Sequence, residues 1–230
     1  MMKGTLIKHL GLGLLIVLAS SCEKDNGGLS LSMNNKINTY SAKKSLKIGD
    51  VVITNFSLSI RDVEFKQDES DLDTIDVQFR GPYELDLLLN SDALTQTLGE
   101  IDLVDGTYSV LRFKLHKSRD WMQSSKLYDR SLYLAGTIDG NNFEFWHDTS
   151  ENLDIENSAG IIVNGNTVNV VVKFDIDLFL SSLHQIDLST AVDGDEDGLI
   201  EINPDNDDGN SDLADQLKDN IKLAADMIKE

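Results

Sequence analysis

Apolar and polar residues alternate along most of the middle of the chain. In the segment "ITNFSLSIRDVEF", Phe56, Leu58 and Ile60 fall on one face of an extended chain, and beyond Asp62 the apolar positions continue on the opposite parity. Successive side chains of a strand point to opposite faces, so this pattern predicts a half-buried strand. One inserted residue reverses the parity, and the change therefore predicts a bulge or strand break near Asp62.

Turn-forming pairs divide the remaining alternating segments. A Gly-Pro pair at 81–82 separates two strand candidates, and an Asp-Gly pair at 139–140 predicts the turn of a hairpin. An Asn-Gly pair at 164–165 predicts the turn of a second hairpin. Asn90 and Ser91 are favourable N-cap residues, and they predict a short helix in "NSDALTQTL".

The alternation predicts an all-β chain of roughly seven to nine strands, arranged as an antiparallel β-sandwich over residues 50–190. Residues 34–47 are polar and show no regular period, which predicts a loop or loose segment, and residues 22–49 as a whole are predicted to be a tether and N-terminal segment. Residues 191–230 predict an acidic loop followed by a C-terminal α-helix. The helical period places these apolar residues on one stripe: Leu213, Leu217, Ile221, Ala224 and Ile228.

The N-terminal residues "MMKGTLIKHLGLGLLIVLASSC" have the organisation of a lipoprotein signal peptide over residues 1–21. Lys3 and Lys8 form a basic region, and the apolar stretch 10–18 is too short to span a bilayer comfortably. Small residues then lead directly to Cys22, the only cysteine of the chain. This arrangement predicts cleavage before Cys22 and its modification by a diacylglyceryl group and an N-acyl chain such as palmitate. The alternative is an ordinary secretory signal with a chance cysteine.

A lipidated Cys22 predicts a membrane-anchored protein of the bacterial outer membrane. More than one acyl chain anchors a protein stably, whereas a single chain binds only marginally. The sequence "EKDNGG" after Cys22 is similar to the short acidic export signals of surface lipoproteins, and otherwise it is a polar tether. The periplasmic face and the cell surface both stay open as locations.

The chain carries twice as many acidic as basic side chains. It has 40 Asp and Glu residues against 20 Lys and Arg residues, for a formal net charge of −20. Phosphates would be repelled by this charge, which argues against a nucleic-acid partner and favours cations.

The acidic residues are densest in "AVDGDEDGLIEINPDNDDGNSDLA", at 191–214. Their spacing resembles an EF-hand loop, with Gly198 at the sharp turn and Pro204 where such a loop has its closing glutamate. Asp205 or Asp207 would therefore have to fold back to close the site. The spacing predicts a structural calcium ion that pins the helix to the sandwich, and the alternative is a solvated acidic linker. The predicted ligands are Asp193, Asp195, Asp197, Leu199 through its carbonyl, Glu201 and Asp205.

Two further groups of side chains are candidates for ligand binding. Arg112 and Lys114 lie on the outward face of a strand and would suit an acidic glycan or an anionic protein. We favour an ordinary outer face neutralised by neighbouring acids. Trp146 lies opposite in parity to its core-facing neighbours, and Trp121 follows a strand end, so both would suit sugar stacking if exposed. Burial under a loop or the terminal helix is the alternative that we favour.

Signatures of catalysis are missing from the sequence. It contains no Gly-x-Ser-x-Gly elbow, no His-Glu-x-x-His motif, no phosphate-binding loop and no second cysteine for zinc. Pairs of carboxylates carry no information here because acids are so abundant. The sequence therefore predicts a protein that is not an enzyme.

Several stretches resemble the secreted bacterial lipoproteins grouped as domain of unknown function 4382. These stretches are "ITNFSLSIRDVEF", "GPYELDLL", "DGTYSVLRFKL", "LAGTIDGNNFEF" and "VNVVVKFDI", and some relatives also carry an acidic "DGDxDG" segment before a helix. The resemblance implies a transthyretin-like β-sandwich and a lipid anchor. It implies no catalytic residues, since the family has no assigned activity.

Together these features predict a lipid-anchored envelope protein with a binding or structural role. A first alternative is a carbohydrate-binding or carbohydrate-processing lipoprotein that uses Trp146, Trp121 and a pair of acids. A second alternative is an adhesion or assembly subunit, which needs an unpaired edge strand to accept another chain.

Overall fold

The computed structural model describes residues 26–36, 46–48, 51–66, 77–181 and 185–229. The predicted signal peptide and Cys22 lie outside the described residues.

Strands dominate the described chain. They are β1 Asn26–Lys36, β2 Leu46–Ile48, β3 Val51–Lys66, β4 Val77–Leu89, β5 Asp92–Ala93, β6 Thr95–Val104, β7 Gly106–Leu115, β8 Leu132–Ile138, β9 Asn141–His147, β10 Asn152–Val163, β11 Thr167–Asp175, β12 Leu199–Ile202 and β13 Ala225–Lys229. The helices are α1 Ile176–Ser181 and α2 Ser211–Asn220, with 3₁₀ turns at Leu188–Thr190 and Ile221–Leu223. This confirms the all-β class with a C-terminal helix.

The strands form two sheets. The small sheet has the order β13-β11-β1-β6, and the main path of the large sheet is β10-β7-β3-β8-β9-β12. Strands β7 and β8 pair with one edge of β3, and β2 and β4 pair with its opposite edge. The short strand β5 pairs with β4. Most neighbours are antiparallel as predicted, but β1 pairs parallel with β11, and β12 pairs parallel with β9.

The N-terminal strand β1 lies in the middle of the small sheet. It pairs with β11 on one side and with β6 on the other. Leu29, Leu31 and Met33 are completely buried. The region 22–49, predicted as a tether and N-terminal segment outside the sandwich domain, therefore contains a core strand at residues 26–36, and the start of the predicted loose segment at 34–47 belongs to that strand. Polar residues alternate with these three apolar ones, as in a strand that buries one face, and pairing with β11 and β6 on both edges stabilises it.

The parity change near Asp62 marks a bulge, as predicted. The register of β3 against both β4 and β7 shifts between Ile60 and Asp62. The predicted break at 81–82 is wrong, because β4 is continuous through the Gly-Pro pair. That pair lies opposite the bulge, where the ladder is already irregular and the missing proline N–H costs no regular hydrogen bond.

The predicted helix over "NSDALTQTL" is also wrong. Asn90 and Ser91 have φ angles of 49° and 70° and form a turn, after which the chain continues as β5 and β6. The Ser91 amide donates to the Thr54 carbonyl at 2.8 Å, and β6 pairs along its length with β1. Pairing with distant strands thus outweighs the local N-cap preference.

The two predicted hairpins have different outcomes. Asp139 and Gly140 both have positive φ and connect the antiparallel pair β8 and β9, which confirms the first hairpin. At 164–165 the chain does turn, but β10 pairs with β7 in the large sheet and β11 pairs with β1 and β13 in the small one. The second hairpin is therefore wrong, and the turn carries the chain from one sheet to the other.

The core lies between the two sheets and continues under the helices. Phe56 of β3 packs edge-on against Phe174 of β11, with ring centroids 5.9 Å apart. Phe179 of α1 contacts Phe56 and also Phe145 of β9, with centroid distances of 6.0 and 6.1 Å. The small sheet thus covers one part of the large sheet, and α1, which the sequence pattern did not predict, covers another.

The C-terminal helix is shorter than its apolar stripe suggested. Leu217, Ile221 and Ala224 are buried, but helix α2 ends at Asn220 and the chain becomes strand β13. Ile228, predicted on the helical stripe, pairs instead with Val171 of β11. The edge of β11 offers backbone partners, which favours an extended end over another helical turn.

Candidate functional site

The acidic loop before β12 gathers three of its predicted ligands. One carboxylate oxygen from each of Asp193, Asp195 and Asp197 lies within 4.8 Å of the others. Calcium is coordinated by six to eight oxygens, so this cluster offers part of such a set.

Backbone amides organise the same loop. The Asp197 amide donates to Asp193 Oδ1 and Asp195 Oδ1, each at 3.1 Å, and the Gly198 amide donates to Asp193 Oδ2 at 2.9 Å. Gly198 has a φ of +91°, a conformation that glycine adopts at little cost. The turn predicted at position six of the loop is therefore present.

The loop leads into strand β12, which the sequence analysis did not predict, since it expected residues 191–230 to form an acidic loop and then a helix. Leu199 starts β12 and its amide donates to Asp197 Oδ1 at 2.8 Å. Glu201 lies two residues further along β12 and is half-buried. Burial raises the pKa of Glu201, and the neighbouring Asp207, Asp208, Asp197 and Asp195 raise it further. Glu201 thus lies in the field of the acidic cluster, where a cation would lower this repulsion.

A buried carboxylate that the sequence analysis missed closes the loop. Asp208 is only 4% exposed. Its Oδ1 accepts from the amides of Gly194 at 2.9 Å and Asp195 at 3.2 Å, and its Oδ2 accepts from the Glu201 amide at 2.6 Å.

Asp208 therefore holds the loop closed through hydrogen bonds from backbone amides, whereas the sequence analysis named Asp205 or Asp207 as the residue that would fold back to close a calcium site. Both of those residues are exposed on the turn after β12. Gly209 follows Asp208 with a φ of +83°, and this Asp-Gly turn pair is the one signal in the sequence that favoured Asp208.

Asn210 joins the loop to the C-terminal helix. Its Oδ1 accepts from the Val192 amide at 3.1 Å, and its Nδ2 donates to the carbonyls of Val192 and Glu201, each at 2.8 Å. From sequence, an asparagine before a helix indicates an N-cap. Here its side chain instead connects the start of the loop, the end of β12 and the start of α2.

The two tryptophans lie on the outer face of the large sheet, away from the main core. Trp146 is 9% exposed and packs in a small cluster with Leu127 and Tyr133, against which Trp121 also packs. The guanidinium carbon of Arg130 lies 4.4 Å from the centroid of the Trp146 ring. The parity prediction for Trp146 is confirmed, and the segment 116–131 buries it, so its ring is not offered to a sugar.

Three of the basic side chains in β7 and the following segment, Arg112, Lys117 and Arg119, form ion pairs with acids. Arg112 forms a two-pronged ion pair with Asp154, with both N–O distances 2.6 Å. Lys117 pairs with Asp148 at 2.6 Å. Lys114, which lies between Arg112 and Lys117 in the sequence, is half-buried. This arrangement is typical of an ordinary outer face.

His147, at the end of β9, is a second residue that the sequence analysis did not single out. It is 8% exposed, and among the described residues neither ring nitrogen has a hydrogen-bond partner. Carboxylate oxygens of Asp148 and Asp215 lie 3.7 and 3.6 Å from its two nitrogens. Burial lowers the pKa of His147, so the ring is neutral at pH 7.

Comparisons with protein-family models, with curated proteins and with solved structures found no match to this chain. The resemblance to the lipoproteins of domain of unknown function 4382 therefore stays a prediction. Within the described parts of the chain, every helix is too short or too polar to span a bilayer.

Proposed function

We propose that this protein is a lipid-anchored envelope protein with a non-enzymatic binding or structural role. Its lipidated Cys22 would hold it in the outer membrane, on the periplasmic face or at the cell surface. The observation that carries this proposal is the position of the only cysteine, directly after an apolar segment and small residues and four residues before strand β1. A lipid at that position is joined almost directly to a folded β-sandwich.

The anchor is tested by fractionating cells that express the full-length protein. Cys22→Ala should move the protein from the membrane to the soluble fraction, because the acyl chains supply the membrane affinity. Ser32→Ala in β1 is a control variant that keeps the cysteine and should stay in the membrane. Membrane retention of the Cys22→Ala variant would refute lipid anchoring.

A calcium ion at the acidic loop is the second part of the proposal, with a structural role. Asp193, Asp195 and Asp197 converge, Glu201 lies in the same negative field, and Asn210 links the loop to α2. An ion at this place would reduce the repulsion between carboxylates and hold the helix against the sandwich. The ion binds the folded state, so it would raise the melting temperature.

Calorimetric titration of calcium chloride into the mature protein tests this part. The double variant Asp193→Asn and Asp195→Asn should bind calcium at least tenfold more weakly than the unchanged protein. Asp139→Asn, which removes an exposed carboxylate from the turn between β8 and β9, should bind as the unchanged protein does. Absence of heat, together with equal melting temperatures in calcium and in chelator, would exclude the ion.

A role as an adhesion or assembly subunit is a second candidate, favoured by the edge of the small sheet. Among the described residues, the ten-residue strand β6 pairs only with β1 and forms that edge. A free edge can accept a strand from another chain. Light scattering after size-exclusion chromatography should then detect oligomers of the unchanged protein. Thr97→Lys, on β6, should disrupt these oligomers, while Asn164→Lys, outside β6, should leave them intact. A monomer at all concentrations would argue against self-assembly.

A further inference from the structure

The direction of strand β1 determines which end of the sandwich lies next to the lipid. We infer that the end formed by the turns 104–106 and 163–167, the anchor end, rests on the membrane surface. The end formed by 139–142 and the acidic loop 193–198, the far end, then points away from the membrane. This inference rests on the proposed lipidation of Cys22 and adds an orientation that lipidation alone does not supply.

The covalent link between lipid and sandwich is short. Three residues separate Cys22 from Asn26, the first residue of β1, so the chain advances by four residue steps between them. An extended chain advances at most about 3.6 Å per residue, so Asn26 lies within about 14 Å of the lipidated residue. That length is short compared with the roughly 50 Å over which the 16 residues of β3 extend, so the start of β1 stays close to the membrane surface.

Strand β1 cannot lengthen the link by detaching. It forms ladders with β11 and β6, and Leu29, Leu31 and Met33 are completely buried between the sheets. Pulling the strand out would expose these side chains and break two ladders, which amounts to unfolding the small sheet. The position of Asn26 in the folded domain is therefore the position of the anchor.

The neighbours of the first residues of β1 define the anchor end. Asn26 pairs with Val104, and Gly28 pairs with Thr167. The turn 163–167 contacts the turn 104–106 directly, since the Gly165 amide donates to Asp105 Oδ1 at 2.8 Å. Both turns therefore lie beside the start of β1.

The register of the large sheet places the acidic loop at the opposite end. Strand β7 starts at the anchor end and runs away from it until Leu115 pairs with Ile60 of β3. From there β3 continues in the same direction to Val51, which pairs with Ile138 at the end of β8. The turn 139–140 follows, and Leu199, which ends the acidic loop, pairs with the second residue of β9. At about 3.3 Å per residue, β3 alone extends over roughly 50 Å.

The chemistry of the anchor end indicates what kind of contact it makes. Its two turns contain no lysine or arginine, and they carry Asp105 and the amides of Asn164 and Asn166. Ile162, beside them, is an exposed apolar side chain at 55% exposure. Such a surface suits neutral lipid headgroups and gains nothing from anionic lipids. The acyl chains supply the affinity, and the sandwich end supplies only the orientation.

Labels at matched exposed positions test the orientation on the intact lipoprotein. Asn164→Cys marks the anchor end and Asn141→Cys marks the far end, and the lipidated Cys22 thiol does not compete for the label. Each variant is labelled with a fluorophore and reconstituted in phosphatidylcholine vesicles that contain a nitroxide-labelled lipid. We expect quenching at position 164 to be at least threefold stronger than at position 141. The same two variants on a Cys22→Ala chain should show no quenching.

Flotation of the vesicles separates failure of the orientation from failure of the anchor. If the protein floats with the vesicles and both labels are quenched equally, or position 141 is quenched more, the orientation is wrong while lipidation stands. If the lipoprotein does not float, both proposals fail. Adding phosphatidylglycerol to the vesicles should change the flotation yield by less than twofold, because the anchor end is not attracted to anionic lipids. A large increase in the yield would contradict this.

Discussion

The buried carboxylate of Asp208 gives the sharpest test of how the acidic loop is held together. Replacing it by alanine removes three hydrogen bonds from the backbone amides of Gly194, Asp195 and Glu201. A hydrogen bond to a charged acceptor contributes roughly 1.5 kcal/mol or more, so the three together amount to about 4.5 kcal/mol. The side chain lies at the border of an exposed loop, where water replaces part of this loss. We therefore expect Asp208→Ala to lower the free energy of unfolding by about 3 kcal/mol.

The amide variant Asp208→Asn refines this prediction. Its single carbonyl oxygen can still accept from Gly194 and Asp195, but its NH₂ group would face the Glu201 amide in place of an acceptor. The loss should therefore lie between zero and that of the alanine variant. Asp205→Ala, which removes an exposed carboxylate from the same turn, is the matched control for charge and should change the free energy by less than about 0.5 kcal/mol.

Urea unfolding of the mature protein in the presence of chelator is the appropriate assay. Chelator removes any contribution of a bound cation, so the three variants report only on hydrogen bonds and charge. Equal midpoints for Asp208→Ala and Asp205→Ala would refute the reasoning, because the two variants differ in buried hydrogen bonds and not in charge. A loss in Asp208→Asn as large as in Asp208→Ala would refute the separate roles of the two oxygens.

Three further predictions concern the strands and the histidine. Leu31→Ala in β1 should lower the free energy of unfolding, measured in urea, by about 3 kcal/mol because the side chain is completely buried. Leu178→Ala, which changes an exposed side chain, should lower it by less than about 0.5 kcal/mol. Equal unfolding midpoints for the two variants would contradict the burial of β1 in the core. Gly136→Ala should prevent soluble folding, since its Cβ would lie 1.8 Å from the Val52 carbonyl oxygen, and a wild-type melting temperature would contradict this packing. Because the pKa of His147 is lowered in the folded protein, the unfolded chain binds a proton at this side chain at a higher pH than the folded one does. The free energy of unfolding should therefore fall as the pH decreases below 6.5, by up to about 1.4 kcal/mol per pH unit. His147→Gln should show a shallower fall between pH 6.5 and 5.5, and identical slopes would contradict the assignment.

Calcium and Asp208 have distinct parts in the proposed site. The carboxylates of Asp195 and Asp197 belong to the converging cluster and each accepts one backbone amide, whereas Asp208 lies outside that cluster and accepts three. Asp208 therefore shapes the loop whether or not an ion is present. Unfolding in chelator therefore measures the contribution of Asp208 to stability, and titration with calcium measures ion binding by the other carboxylates of the loop.

Side-chain parity predicted a large part of the fold. The alternation over Phe56, Leu58 and Ile60 predicted a buried face of β3, and the change of parity at Asp62 predicted the bulge. Both follow from the period of two along a strand, which is a local property of the chain. The Asp-Gly turn at 139–140 was predictable for the same reason, since positive φ at two successive residues is a local requirement.

The partners of the strands were decided by the tertiary structure. Nothing in the period of residues 26–36 indicates that this strand inserts between β11 and β6, and nothing local tells the turn at 164–165 to change sheets. The end of the chain leaves its helical stripe because β11 has an edge to pair with. Asp208 closes the acidic loop because folding brings it beside three amides. Local spacing along the chain sets which side chains share one face of a strand, because successive side chains point to opposite faces. Which strands meet and which carboxylate is buried depend on contacts between distant residues, and those contacts exist only in the folded protein.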